Sequence, residues 1–120
     1  MNNIATVFIG GGLGSLVRYG ISSLVALRFK SLFPIATLTS NVLSCAILAI
    51  TVTLLSSKAD MSQSWRFFII TGFCGGFSTF STFSWETVDL IKNDHVAYAI
   101  ANILISMIVC IGIVFVLAKK

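Results

Sequence analysis

Residues 78–86 read STFSTFSWE, and the chemistry this stretch could do is the handling of a small anion. Phe80 and Phe83 stand three apart, so on a helix they are neighbours on one face. A phenyl edge carries the positive part of the ring quadrupole. Two rings presenting edges could therefore hold a small, hard anion with no fixed cation to trap it. Ordinary packing would use the same spacing. Hydroxyl groups fill the intervals: Thr79, Thr82 and Glu86 follow at i, i+3 and i+7, and Ser81 and Ser84 are again three apart. The residues just before, Gly75 and Gly76, should interrupt a helix, because each glycine costs about 1 kcal/mol relative to alanine in a helix interior. Ser78 and Thr79 are good N-caps for a helix that restarts. The reading is of two half-helices, 67–74 and a second starting near Ser78. Carbonyls freed at the end of the first half suit a cation, and amides at the start of the second suit an anion.

The elements that carry these residues follow from composition. The 120-residue chain, one domain, is 57% hydrophobic and 10% charged, with a mean hydropathy of +1.00. A soluble domain carries roughly 25% charged residues, so this chain could not clothe a globular surface in water. Four segments are long and apolar enough to cross a bilayer: 4–27, 32–55, 67–91 and 96–118. Their apolar residues run all round rather than alternating, which excludes a β-barrel. No Lys or Arg precedes the first apolar run, which is also too long for a cleaved signal peptide. The net charge of +4 does not indicate nucleic acid, since the basic residues sit mostly at segment ends and mark the membrane interface.

Irregular backbone survives at membrane depth only when buried in protein or facing water, so the other spans should supply partners. In the second span Thr37, Asn41 and Ser44 share a face at i, i+4 and i+7; Asn102 and Ser106 do so in the fourth. Such faces serve as glue between helices or as the lining of a wet path. Arg18 lies about nine residues from the nearer end of its span, where an arginine costs roughly 2.5–3.5 kcal/mol. It either draws an anion into a vestibule or is held by a carboxylate such as Glu86 or by backbone carbonyls. Gly10 and Gly14 form a GxxxG pair that lets helix backbones approach closely. Cys45, Cys74 and Cys110, each in a different span and with no CxxC pair, read as buried structural thiols. The lone His95 has no metal-ligand cluster around it, which argues against an enzyme.

Orientation is not decided by charge. One side of the membrane carries Lys58, Arg66, Lys119 and Lys120, four in all; the other carries Arg28, Lys30 and Lys92, three. That near-balance is either noise or the mark of a chain that inserts both ways.

The segment GFCGGFSTFSTFSWE, with GGGLGSLVRY in the first span and TLTSN in the second, resembles the signatures of the CrcB/Fluc fluoride channels over essentially the whole chain. One departure is that Ser44 and Cys45 stand where that family usually has glycine. The resemblance implies an all-α integral membrane fold of four transmembrane helices, the third broken near Gly75–Ser78, in an antiparallel dual-topology homodimer of the bacterial inner membrane. It implies passive, selective export of fluoride, which enters acidified cells as HF and is trapped, through two pores per dimer. Phe80 and Phe83 would face the pores. Asn41, Ser81, Thr82, Ser84, Glu86 and Ser106 would line or support the anion path, with Arg18 toward a vestibule. Backbone carbonyls of Gly75 and Ser78 would hold a structural Na+. The alternative is a proton-coupled exporter of the small multidrug type, which needs an intramembrane carboxylate. Glu86 is the nearest to one, but it lies close to its span's end.

Overall fold

Each helix begins and ends where the local chemistry dictates. Asn2 caps α1 (Asn3–Arg28), its side chain accepting from the Ile4 N–H at 2.8 Å, and Phe29 leaves the helix in extended conformation. Pro34 pre-sets the entry to α2 (Ile35–Lys58), its carbonyl accepting from Leu38 N–H at 3.1 Å. The third span comprises α3 (Gln63–Arg66), a π-helical stretch Phe67–Cys74, α4 (Gly75–Phe77) and, after an interruption at Ser78–Thr79, α5 (Phe80–Lys92). The fourth is α6 (Val96–Leu117). This computed structural model describes residues 2–58 and 63–118. The expected loop 56–66 falls partly on residues 59–62, and Lys119 and Lys120 also lie outside the described residues.

The helices make four membrane spans, and the molecule measures 50 Å along its long axis. At about 1.5 Å per residue, α1 is ~39 Å long, enough to cross a ~30 Å hydrocarbon core. The chain is a four-helix, all-α membrane protein.

The interruption lies later than the glycine pair that was expected to cause it. Gly75 and Gly76 are helical, and the chain turns extended only at Ser78 (ψ 155°) and Thr79 (φ −151°). The glycines have another use. α1 crosses the third span at a seam of small residues, where a Cβ on Gly10 would stand 2.5 Å from the Phe68 carbonyl and one on Gly72 would stand 3.0 Å from Gly10 Cα. A Cβ on Gly14 would overlap the Phe73 carbonyl, and one on Gly76 the Gly11 carbonyl. Backbone therefore meets backbone along two turns of α1, the contact that GxxxG spacing permits. Lost helix propensity at these positions is offset by dispersion contacts over a long interface.

The interior is more polar than the exterior. Buried residues include Thr6, Thr37, Ser40, Ser44, Thr51, Thr87, Asn102 and Ser106, whereas Phe8, Leu27 and Phe115 face outward. Lipid is as apolar as leucine, so burying leucine between helices gains little there; small and hydrogen-bonding residues take the interior instead. α2 and α6 pack side by side, and Ala49 of α2 and Ala99 of α6 are both fully buried. At the end of that contact the Thr53 hydroxyl reaches the Leu117 carbonyl of α6 at 2.8 Å.

The seam makes a testable distinction. Gly14→Val should lower thermal stability in detergent by about 1–3 kcal/mol, the usual cost of overpacking. Gly20→Ala, where a Cβ meets nothing within 4 Å, should not lower the melting temperature and should raise it by the gain in helix propensity. Equal melting of the two variants would show that the seam does not hold the protomer together.

Candidate functional site: the interrupted third helix

A break in a helix at membrane depth leaves backbone groups that water cannot serve, each costing several kcal/mol if left unmet. The neighbouring helices meet most of them. Asn41 of α2 accepts from the Thr79 N–H through Oδ1 at 3.0 Å. The Cys74 carbonyl accepts from the Ser78 N–H at 3.0 Å, the Ser78 hydroxyl at 2.9 Å and the Ser44 hydroxyl at 3.1 Å. Arg18 of α1 donates from Nε to the Gly76 carbonyl at 3.1 Å. Of the roles open to Arg18 from sequence, the structure thus shows the tie to backbone carbonyl.

Thr79 starts α5. Its hydroxyl accepts from the Thr82 N–H at 3.3 Å and lies 3.2 Å from the Ser81 hydroxyl and 3.3 Å from that of Thr82. Of the two expected caps, Thr79 serves the second half-helix, while Ser78 closes the first by bonding back to Cys74. Beyond the cap, Phe80 and Phe83 lie with ring centroids 5.8 Å apart and planes tilted by 40°. Phe80 is 77% exposed on the protomer, a large aromatic turned outward beside a polar break.

The break opens onto a cavity of about 230 Å³. Asn41, Ser78, Phe80, Phe83 and Ser106 line it together with Thr79, and none of its lining residues is charged. Five residues singled out from sequence thus meet in one place from three spans. Ser81 and Thr82 join through the cap cluster rather than the wall, and Ser84 does not reach the wall. Glu86 is off the cavity, approaching the Thr37 hydroxyl of α2, with Oε1 buried and without a hydrogen-bond partner among the described residues.

Ser106 belongs to a chain of hydrogen bonds between α5 and α6. It donates to Asn102 Oδ1 at 3.3 Å, Asn102 donates to Thr87 Oγ1 at 3.0 Å, and Thr87 donates to the Phe83 carbonyl at 2.8 Å. This relay fixes the backbone that carries one phenyl ring. Thr87 was not apparent from sequence, though its spacing of four from Phe83 is the usual one for a threonine bonding back along a helix. The cysteines divide. Cys74 is buried and donates to the Ser44 carbonyl at 3.6 Å, as a structural thiol should. Cys45 and Cys110 are only half-buried and line the cavity, which corrects the expectation that all three are buried.

A cavity without charged lining residues, set at a helix break among four spans, defines a class: a small integral membrane protein built around an interrupted helix. Residues 5–118 match the family described as CrcB-like protein, Camphor Resistance (CrcB), and the chain belongs to that family. It is 48% identical over 112 residues to a protein of Pyrococcus horikoshii named fluoride-specific ion channel FluC, covering 93% of this chain and 89% of that relative. Proteins of the same name from Coxiella burnetii and Serratia proteamaculans are 38% and 36% identical, covering 92% and 89% of this chain and 90% and 84% of theirs.

The Asn41–Thr79 bond gives a prediction that separates structure from chemistry. Asn41→Leu removes the acceptor and should destabilise the protein by about 1–3 kcal/mol, the cost of an unmet buried donor. Asn41→Gln retains an uncharged amide acceptor and should lose less stability than the leucine variant. If the leucine variant is as stable as wild type, the amide is not what holds the break.

Proposed function

We propose that this protein is a passive fluoride channel, a multi-pass protein of the plasma membrane, and that fluoride passes the break in the third span. The observation that carries the reading is the uncharged cavity where Phe80, Phe83, Asn41 and Ser106 meet, in a chain whose relatives bear the name fluoride-specific ion channel. Fluoride gives up water reluctantly, so a path must offer replacement donors. Hydroxyl groups of Ser78, Thr79 and Ser106, the Asn41 amide and phenyl edges are donors of that type. With no lysine or arginine in the wall, an anion is held weakly enough to leave. Ser81, Thr82 and Ser84 act as supports, and Glu86 stands beside the path. A proton-coupled exporter would want its carboxylate in the cavity, and Glu86 is not there.

The working unit in this reading is an antiparallel homodimer with two pores. Phe80 and Gly75 are both exposed on the protomer, and a Cβ at Gly75 meets nothing within 4 Å. The near-equal count of basic residues on the two sides allows insertion both ways. A structural Na+ fits the same region. No hydrogen bond reaches the Gly75 or Ser78 carbonyl, and no group of three His, Cys, Asp or Glu side chains gathers elsewhere, among the described residues. Gly75 and Ser78 would hold it by main-chain oxygen, and the ion would supply positive charge to otherwise unmet carbonyl dipoles.

Fluoride efflux from vesicles holding the purified protein tests the conduction. Wild type should release fluoride far faster than chloride without a proton gradient. Phe80→Ile and Phe83→Ile keep apolar bulk but lose the ring edge; each should slow fluoride at least about tenfold, ~1.4 kcal/mol of barrier. Asn41→Asp should fold and yet fail to conduct, because a fixed negative charge repels the anion. Full flux in both phenylalanine variants would reduce the rings to packing.

The dimer has its own test. Gly75→Leu should leave the protomer folded, because nothing in it is near, but should yield monomers by mass measurement in detergent. Withdrawing sodium should likewise weaken the dimer without any sodium flux accompanying fluoride. A Gly75→Leu protein that is fully dimeric would place the interface elsewhere.

A further inference from the structure

Cys45 and Cys110 have no part in the reading above, yet they stand in the wall of the same cavity. Cys45 follows Asn41 by four residues on α2, and Cys110 follows Ser106 by four on α6, so each thiol lies one helical turn beyond a polar residue of the wall and on the same face. The packing of α2 against α6 brings both to the wall of one cavity, and both are free and half-buried. Met107, three residues before Cys110, adds a thioether to the same wall. Hard ligands are lacking. No third His, Cys, Asp or Glu joins a metal-holding group among the described residues, and a zinc site takes about four ligands in a tetrahedron. Two sulfurs suit instead a soft cation content with two ligands.

We propose that Cys45 and Cys110 form a two-thiolate site for a soft, two-coordinate metal cation of the Cu(I), Ag(I) or Hg(II) class, and that occupancy closes the pathway. With Hg2+ the step is ligand exchange without electron transfer. Two S–Hg bonds form, two S–H bonds break, and two protons leave to solvent. The bound atom then stands one helical turn from Asn41 and Ser106, bridging α2 and α6 across the wall of the cavity. The binding claim stands on the thiols alone; the closing claim rests on the cavity being the fluoride path.

Hg2+ is the probe, applied to purified protein in vesicles, with bound metal, released protons and fluoride efflux measured on one preparation. One Hg2+ per subunit should bind tightly with release of two protons, and efflux should stop and return when excess dithiothreitol strips the metal. Cys45→Ser and Cys110→Ser should each weaken binding at least about 100-fold, since a hydroxyl is a poor ligand for a soft metal. Either single variant should release one proton per Hg2+ rather than two, and the double variant should release none and bind most weakly, since each thiolate supplies one S–Hg bond. Cys74→Ser should keep the tight binding and its two protons. Wild-type affinity in the double variant, or release of two protons by either single variant, would overturn the site. Tight two-proton binding with undiminished efflux would overturn the closing claim alone. Should metal-free vesicles fail to pass fluoride, the channel reading falls, while the binding and proton measurements still decide the site.

Discussion

The structure depends on a helix that stops and restarts between Phe77 and Phe80 inside the membrane. Lipid offers no hydrogen bonds, so every backbone group released there must be met by protein or used by a ligand. Three helices converge to do this. Arg18 of α1 takes the Gly76 carbonyl, Asn41 and Ser44 of α2 take the Thr79 N–H and the Cys74 carbonyl, and Thr79 caps the second half itself. Among the described residues no hydrogen bond reaches the carbonyls of Gly75, Phe77 or Ser78. The cost of the break thus organises both the packing around it and the chemistry it can perform.

The contact between α1 and the third span follows from the same need. To reach the Gly76 carbonyl, Arg18 must sit on a helix pressed close to the broken one, and the small residues Gly10, Gly14, Gly72 and Gly76 allow that approach. On the other side α6 reaches the break indirectly. Asn102 is fully buried and, through Thr87, steadies the turn that bears Phe83. Ser44, Asn102 and Thr87 are buried polar fastenings between helices, and most of the large apolar residues face the solvent of the bilayer.

Much of this was legible in the sequence because it rests on patterns that lipid enforces. Four uncharged or nearly uncharged runs can only be spans, GxxxG can only help where helices touch, and Thr37, Asn41 and Ser44 share a face by arithmetic. The site of the break was less legible. Gly75 and Gly76 weaken a helix by intrinsic propensity, but tertiary contact with Gly11 overrides that preference, and the chain opens at Ser78. Propensity is local, whereas the helix end is set by what Asn41 and Arg18 can reach. The partner of Arg18 was equally hidden, since a backbone carbonyl leaves no mark in a sequence. The partial exposure of Cys45 and Cys110 was hidden for a related reason: a place in a span does not tell which face of the helix a thiol occupies until the neighbouring helix is placed.

The most direct test of the account is the zero-current potential of the reconstituted protein in a planar bilayer, with a fluoride gradient, symmetrical chloride and equal pH on both sides. A passive fluoride path at the break predicts a potential that follows the fluoride gradient and does not move when a chloride or proton gradient is added. A potential that follows chloride, or one that appears only with a proton gradient, would contradict it.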